Sequence, residues 1–231
     1  MPRIPPWLVG TAVAAVGLLF AGLAWGDELV ELLPEGLWGK KPLTGKKLDW
    51  LRGLVAQTKG VLVAAGMPPS VAYGQAAIET GWGSAGLNNP WGQRGVGDAG
   101  SDSITTTECF EAGQPCTKLT GQKFARFSSP AAAALGYTKF LSGKSYLDGW
   151  VFRSTDPGRW LLWLWGMGYA TANHYATAVV DASRKIAVSL DDASLAIDWT
   201  DGHVAIAKQL SQVNAGKERR ALARKLLLEA P

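Results

Sequence analysis

The 231-residue chain is poor in the groups that usually announce a metal or redox site: it has two cysteines, two histidines and three methionines. His174 and His203 lie far apart and no Cys/His ligand spacing exists, so neither a metal centre nor a cofactor is implied. Charged residues are scarce, at 18%. The net charge of +4 and pI near 9.1 suit a polyanionic surface such as a cell wall or phospholipid headgroups. There is no helix-turn-helix signature, arginine stripe or RNP-like motif, which argues against nucleic acid as a partner. Nor is there an internal repeat. What is abundant is apolar: 47% of residues are hydrophobic, enough for a real core in one medium domain with appendages, and this excludes a disordered chain.

The longest apolar run extends from Trp7 to Trp25, about the length that crosses a bilayer, with a tryptophan at each end where interfacial aromatics belong. Arg3 precedes it, whereas Asp27, Glu28, Glu31 and Glu35 follow, which predicts a cytoplasmic N-terminus and the bulk of the chain outside. Ala24-Trp-Gly26 resembles a signal-peptide cleavage site, but the run is long for a signal-peptide core, so an uncleaved anchor over 7–26 is the expectation. Gly10, Gly17 and Gly22 make the span only moderately hydrophobic. A segment of this kind resembles the releasable anchors of phage signal-arrest-release endolysins.

Cys109 and Cys116 flank a turn-rich insert between two Thr/Lys-rich runs. That pattern reads as a hairpin carrying a cross-strand disulfide, hence an oxidising compartment; the alternative is a pair of free thiols.

Most of the functional weight falls on Pro69 to Gly83, an almost uncharged helix with one ionisable group near its end. Pro69 and Ser70 read as its start, with Ser70 as cap, and Gly81 and Gly83 as its stop, which puts Glu79 in the last turn. The negative end of the helix dipole and the neighbours Ile78 and Trp82 disfavour an ionised carboxylate there, so a raised pKa is expected. A carboxyl that keeps its proton near neutral pH is what general-acid cleavage of a glycosidic bond requires. The competing reading is a solvated helix-end glutamate.

A helix running from Leu48 to Gly66 precedes this one, and Ser84 to Ser103 reads as loop. A hairpin is expected over Ile104–Phe127, placing Glu108 at or near a strand end. Ser129-Pro130 and Asp156-Pro157 each open a helix. The second carries Trp160, Trp163 and Trp165, three indoles that suit either a sugar groove or, more commonly, a core. Further helices are expected through Val179–Val188, His203–Val213 and Lys217–Leu228. The last is basic on one side and leucine-rich on the other, which suits a membrane surface, a protein partner or packing on its own domain.

Taken in order, Gln75-Ala-Ala-Ile-Glu-Thr-Gly-Trp-Gly83, Asn88-Asn-Pro-Trp-Gly92, Thr106-Thr-Glu108, Phe127-Ser-Ser-Pro-Ala131 and Tyr169-Ala-Thr-x-x-x-Tyr175 resemble the N-acetylglucosaminidases of glycoside hydrolase family 73. The family includes the peptidoglycan-cutting domain of flagellar rod assembly proteins and several autolysins. The resemblance implies a mainly α, lysozyme-like α+β fold with a small β-hairpin lobe beside a sugar cleft. It also implies Glu79 as catalytic acid, Glu108 as base or water-activating residue, and Tyr169 as a residue positioning the acetamido group or the water. Gln75, Trp82, Asn89, Trp91 and Tyr175 are the expected substrate-binding residues. The sequence departs from the family at Gly92-Gln-Arg94 and at Ala172-Asn173-His174, which bears on the cleft floor.

The expected organisation is therefore a cytoplasmic stub (1–6), a transmembrane signal-anchor (7–26), a linker (27–46), a glucosaminidase-like domain (47–190) and a C-terminal helical extension (191–231). The expected activity is hydrolysis of peptidoglycan glycan strands at the β-1,4 bond after N-acetylglucosamine, in the periplasm, outside the cell or at a virion membrane. The alternatives are a lytic transglycosylase on the same fold and a non-catalytic wall-binding component of a phage particle or secretion apparatus.

Overall fold

A single apolar helix forms the axis of the fold. The computed structural model describes residues 41–84, 88–108, 117–143, 146, 154–213 and 215–228, with Thr107 and Glu108 placed by backbone alone. Helix α2 (Pro69–Thr80) buries every residue except Pro69 and Ile78, as expected of a helix apolar on all sides. Its start differs from expectation: Pro68 is the N-cap and Ser70 lies inside the helix, buried and not capping, because the prolines already occupy the positions whose amides would need a cap.

The other helices pack on α2 or on one another around the same core. Helix α1 (Gly45–Ala64) turns Leu51, Leu54, Thr58 and Leu62 inward on one face. Just before it, Leu43 is buried and its N–H donates to Ser189 Oγ at 2.8 Å. Helix α3 (Pro130–Leu141) is capped as expected by Ser129, which accepts from the N–H of Ala132. Helix α4 (Pro157–Gly166) is capped by Asp156. Its three indoles are all buried, and each N–H donates to a backbone carbonyl, of Ser154, Tyr146 and Ala172 respectively. They are core, not groove. Helix α5 (Tyr175–Leu190) lies against α2 at Gly74, where an added Cβ would stand 2.7 Å from the Val179 carbonyl oxygen.

The two strands β1 (Ser101–Glu108) and β2 (Thr117–Ala125) form an antiparallel pair, with Ser101 opposite Ala125 and Glu108 opposite Thr117. The strand thus starts three residues earlier than the sequence suggested. A bulge falls between Ile104 and Thr106, where β2 carries one extra residue and Gly121 takes φ 67°. Asn89 ties the base of this hairpin to the core by donating to the carbonyls of Gln93 and Ala125, and Gln93 in turn donates to Ala133 of α3. The Cys109–Cys116 pair lies outside the described residues, as does the 7–26 segment. Among the described residues, no helix is long and apolar enough to cross a membrane.

The C-terminal extension packs on the same core. Helix α6 (Asp201–Ser211) begins at a capping box of Thr200 and His203, and His203 Nε2 sits 3.0 Å from Asp156 Oδ2 at the start of α4. Helix α7 (Lys217–Leu228) buries Arg219, Ala223 and Leu227, a four-residue spacing that gives one stripe. That stripe is spent on α4, where Ala223 fills the space left by Gly166 and Arg159 Nη2 donates to the Leu227 carbonyl at 2.8 Å. Of the roles the sequence left open for this helix, packing on its own domain is the one observed. The described residues are mainly helical with one small two-stranded sheet, as a lysozyme-like fold requires.

Candidate active site

Glu79 sits in the last turn of α2, and the way that helix ends positions it. Gly81 adopts the left-handed conformation at φ 55°, so the Trp82 N–H reaches back to the Ala77 carbonyl and the Gly81 N–H to that of Ile78. Trp82 follows at φ 62° and Gly83 at φ 83°. Holding tryptophan there costs roughly 1–2 kcal/mol. Thr80 braces the turn by accepting from the Gly83 N–H at 2.8 Å. Gly83 itself leaves room for Trp50, since a Cβ would lie 2.5 Å from that indole.

The glutamate is 3% exposed, so the solvated helix-end reading does not hold. Tyr175, the first residue of α5, donates its hydroxyl to Glu79 Oε1 at 3.2 Å. The same hydroxyl accepts from Gln75 Nε2 at 3.1 Å, and Gln75 Oε1 accepts a short bond from Tyr137. Gln75 lies one turn before Glu79 on the same helix face, which is why one neighbouring helix can bond to both. A directed row of donors thus runs from Tyr137 through Gln75 and Tyr175 to the carboxyl.

Tyr169 completes the cluster from the side. Its hydroxyl donates to the Trp91 carbonyl at 3.0 Å and its ring stands 6.0 Å from that of Tyr175. Trp91 stacks on Tyr137 at 4.9 Å and donates its indole N–H to the Ala72 carbonyl. Burial, then the charge of Glu79, pushes the Tyr137 and Tyr175 hydroxyls well above the ordinary phenol range. Tyr169 moves the same way, by burial first and then through its tyrosine neighbours and Glu79. All three therefore remain neutral donors at any working pH.

The residues singled out from the sequence separate into groups. Glu79, Gln75 and Tyr175 are directly bonded, with Tyr169 and Trp91 packed beside them. Gln75, Tyr169, Tyr175 and Trp91 are each fully buried. Asn89 is 4% exposed and occupied at the hairpin base. Trp82 is half-buried with the Lys185 ammonium 5.7 Å from its ring centroid. Glu108 ends β1, opposite Thr117, as its spacing suggested. Tyr137 was not anticipated: it lies in the apolar run of α3, where nothing local distinguishes a donor from core packing.

Arg219 was not anticipated either. It is 1% exposed and fans out over the 170–173 segment that leads into Tyr175. It donates to the carbonyls of Thr171 at 3.3 Å and Val213 at 3.1 Å, to Asn173 Oδ1 at 2.6 Å, and more weakly to Ala170 at 3.5 Å.

A buried carboxyl at a helix end, held by a neutral hydroxyl and followed in the chain by a strand ending in a second glutamate, is an arrangement suited to acid-catalysed glycoside cleavage. The glucosaminidase family, described as mannosyl-glycoprotein endo-beta-N-acetylglucosaminidase, matches residues 57–187. Among solved structures, the catalytic domain of the autolysin Auto from Listeria monocytogenes aligns with TM-score 0.52 and 22% identity, over 65% of this chain and 90% of that one. An N-acetylmuramoyl-L-alanine amidase from Staphylococcus aureus aligns with TM-score 0.52 and 16% identity, over 68% of this chain and 50% of that one. A glycoside hydrolase domain of FlgJ from Salmonella typhimurium aligns with TM-score 0.44 and 26% identity, over 59% and 94%. Curated protein sequences yield no match. The first two structures speak for the fold; the family match spans more than half of the chain and includes Glu79, Glu108, Tyr169 and Tyr175. The chain belongs to the glucosaminidase family and is a glycosidase.

Proposed function

We propose that the chain is a peptidoglycan hydrolase that cuts glycan strands at the β-1,4 bond after N-acetylglucosamine, with Glu79 as general acid. The observation that carries this reading is the burial of Glu79 at the carbonyl end of α2, with the Tyr175 hydroxyl 3.2 Å from Oε1. Burial and the negative helix end both favour the protonated carboxyl, the form that can give a proton to the leaving glycosidic oxygen. Glu108 at the end of β1 activates water on the opposite face of the sugar, and closure of the hairpin lobe brings it there. The ordered motif blocks of the sequence and the autolysin named among the fold neighbours support glycan of the cell wall as substrate.

The same reading places the enzyme outside the cytoplasm, anchored through residues 7–26, with Cys109 and Cys116 joined as a disulfide that stiffens the hairpin. Retention of the chain in a carbonate-washed membrane fraction tests the anchor. A two-hydrogen mass difference on reduction tests the disulfide.

Digestion of purified wall by the full chain decides the activity. Fragments ending in reducing N-acetylglucosamine are expected, and Glu79→Gln should release none while keeping its near-UV circular dichroism. Glu108→Gln should slow release severely. Products ending in 1,6-anhydro sugar would reassign the enzyme to transglycosylation, and an active Glu79→Gln variant would remove the proposed acid.

A further inference from the structure

We propose that the C-terminal helix α7, which lies beyond the residues the family matches, is part of the catalytic unit: Arg219 is a positioning residue that clamps the 170–173 segment and thereby sets the Tyr175 hydroxyl against Glu79. The proposal rests on the reading of Glu79 as the acid.

The geometry is specific. Four consecutive residues, Ala170 to Asn173, each bond to one of two side chains. Trp165 Nε1 on α4 donates to the Ala172 carbonyl at 3.0 Å, and Arg219 takes Ala170, Thr171 and Asn173. The guanidinium lies 4.9 Å from the Trp165 ring centroid, so the two clamps brace each other. The held segment joins two tyrosines of the site, Tyr169 bonded to Trp91 and Tyr175 bonded to Glu79. Within it, Asn173 accepts the closest of the Arg219 bonds, and it belongs to the Ala172-Asn173-His174 run in which this sequence departs from its family.

The energetics argue against mere packing. Arg219 is fully buried, and among the described residues no carboxylate lies within ion-pair distance of it. Burial alone draws its pKa down to about 10, which leaves the guanidinium charged at working pH. A buried ion without a countercharge is expensive, and an apolar side chain would pack α7 on α4 at lower cost. The two terminal nitrogens of a planar guanidinium reach acceptors spread along an irregular segment in a fixed geometry, whereas leucine has no donor and lysine gathers its three donors on one nitrogen.

Kinetics of the full chain in detergent, on purified peptidoglycan strands, test the clamp with Arg219→Met and Arg219→Lys. Both variants should lower kcat by about tenfold to a hundredfold, the scale of loss from misplacing a catalytic group, with little change in KM. Lysine should not rescue, because it keeps the charge and loses the fork. The decisive readout is the cycle with Tyr175→Phe: the effect of Arg219→Met should largely vanish in that background, since both act through one hydroxyl.

Wild-type kcat in both variants, full additivity with Tyr175→Phe, or rescue by lysine would overturn the proposal. So would activity lost only in step with the folded fraction, or failure of both variants to fold, either of which makes Arg219 a stability residue alone. A wild-type chain that leaves the strands uncut would instead overturn the underlying enzymatic reading.

Discussion

Replacing Tyr175 with phenylalanine removes one hydroxyl from the centre of the site and little else, because the ring is fully buried and keeps its neighbours. Two bonds are lost together. Gln75 Nε2 loses its acceptor at 3.1 Å and Glu79 Oε1 its donor at 3.2 Å. A buried hydrogen bond contributes about 0.5–1.5 kcal/mol, and more when one partner is charged. The bond to Glu79 is long for an O–H···O contact, so a combined loss of about 1–2 kcal/mol is expected. For a chain of this size that corresponds to a fall in Tm of about 2–8 °C, readable by calorimetry.

The pH dependence of Tyr175→Phe carries the sharper test. A donor to a carboxyl favours its ionised form, so deleting the hydroxyl should raise the pKa of Glu79. A general acid must be protonated, and activity is lost as pH rises through its pKa. The alkaline limb of the kcat profile on wall glycan should therefore move to higher pH in Tyr175→Phe. A limb that stays in place with unchanged Tm, or one that moves to lower pH, would refute the assigned donor direction.

The remaining outcomes concern the frame around the acid. All five tyrosines are buried; burial raises Tyr73 to about 12 and pushes the other four up as well. Unfolded phenols ionise near pH 10, so each tyrosine's contribution is fully present below that and falls by about 1.4 kcal/mol per pH unit as pH climbs toward the folded value. Phenolate absorbance and loss of near-UV circular dichroism should thus coincide in one steep transition above about pH 10, and a tyrosine titrating normally in folded protein would contradict this. Gly74→Ala would place a methyl carbon 2.7 Å from the Val179 carbonyl oxygen. It should force α2 and α5 apart at a cost of about 1–3 kcal/mol and lower kcat with it, because Tyr175 and Glu79 face each other across that seam. Wild-type stability and turnover in Gly74→Ala would show that the seam is slack.

What the sequence could announce by itself was whatever depends on residues close in the chain. Glycines at 81 and 83 stop a helix, which is why Glu79 is legible from sequence as a last-turn glutamate. Ser129 and Asp156 cap where their prolines said they would, and the run ending at Glu108 is the end of a strand. The same local chemistry misjudged Ser70, whose hydroxyl had no cap to make once the prolines supplied the helix start.

Tertiary structure alone decided what surrounds the acid. A motif fixes the order of Gln75, Trp91, Tyr169 and Tyr175, but the same side chain serves a sugar or a neighbour according to which face packing leaves open. Here packing buries all four and makes two of them, Gln75 and Tyr175, a support for Glu79. Tyr137 and Arg219 had no local signature, since periodicity records that a residue faces inward and not what it meets there. Their partners are set by how α3 and α7 close on distant parts of the chain, and that closure depends on the shape of the whole core.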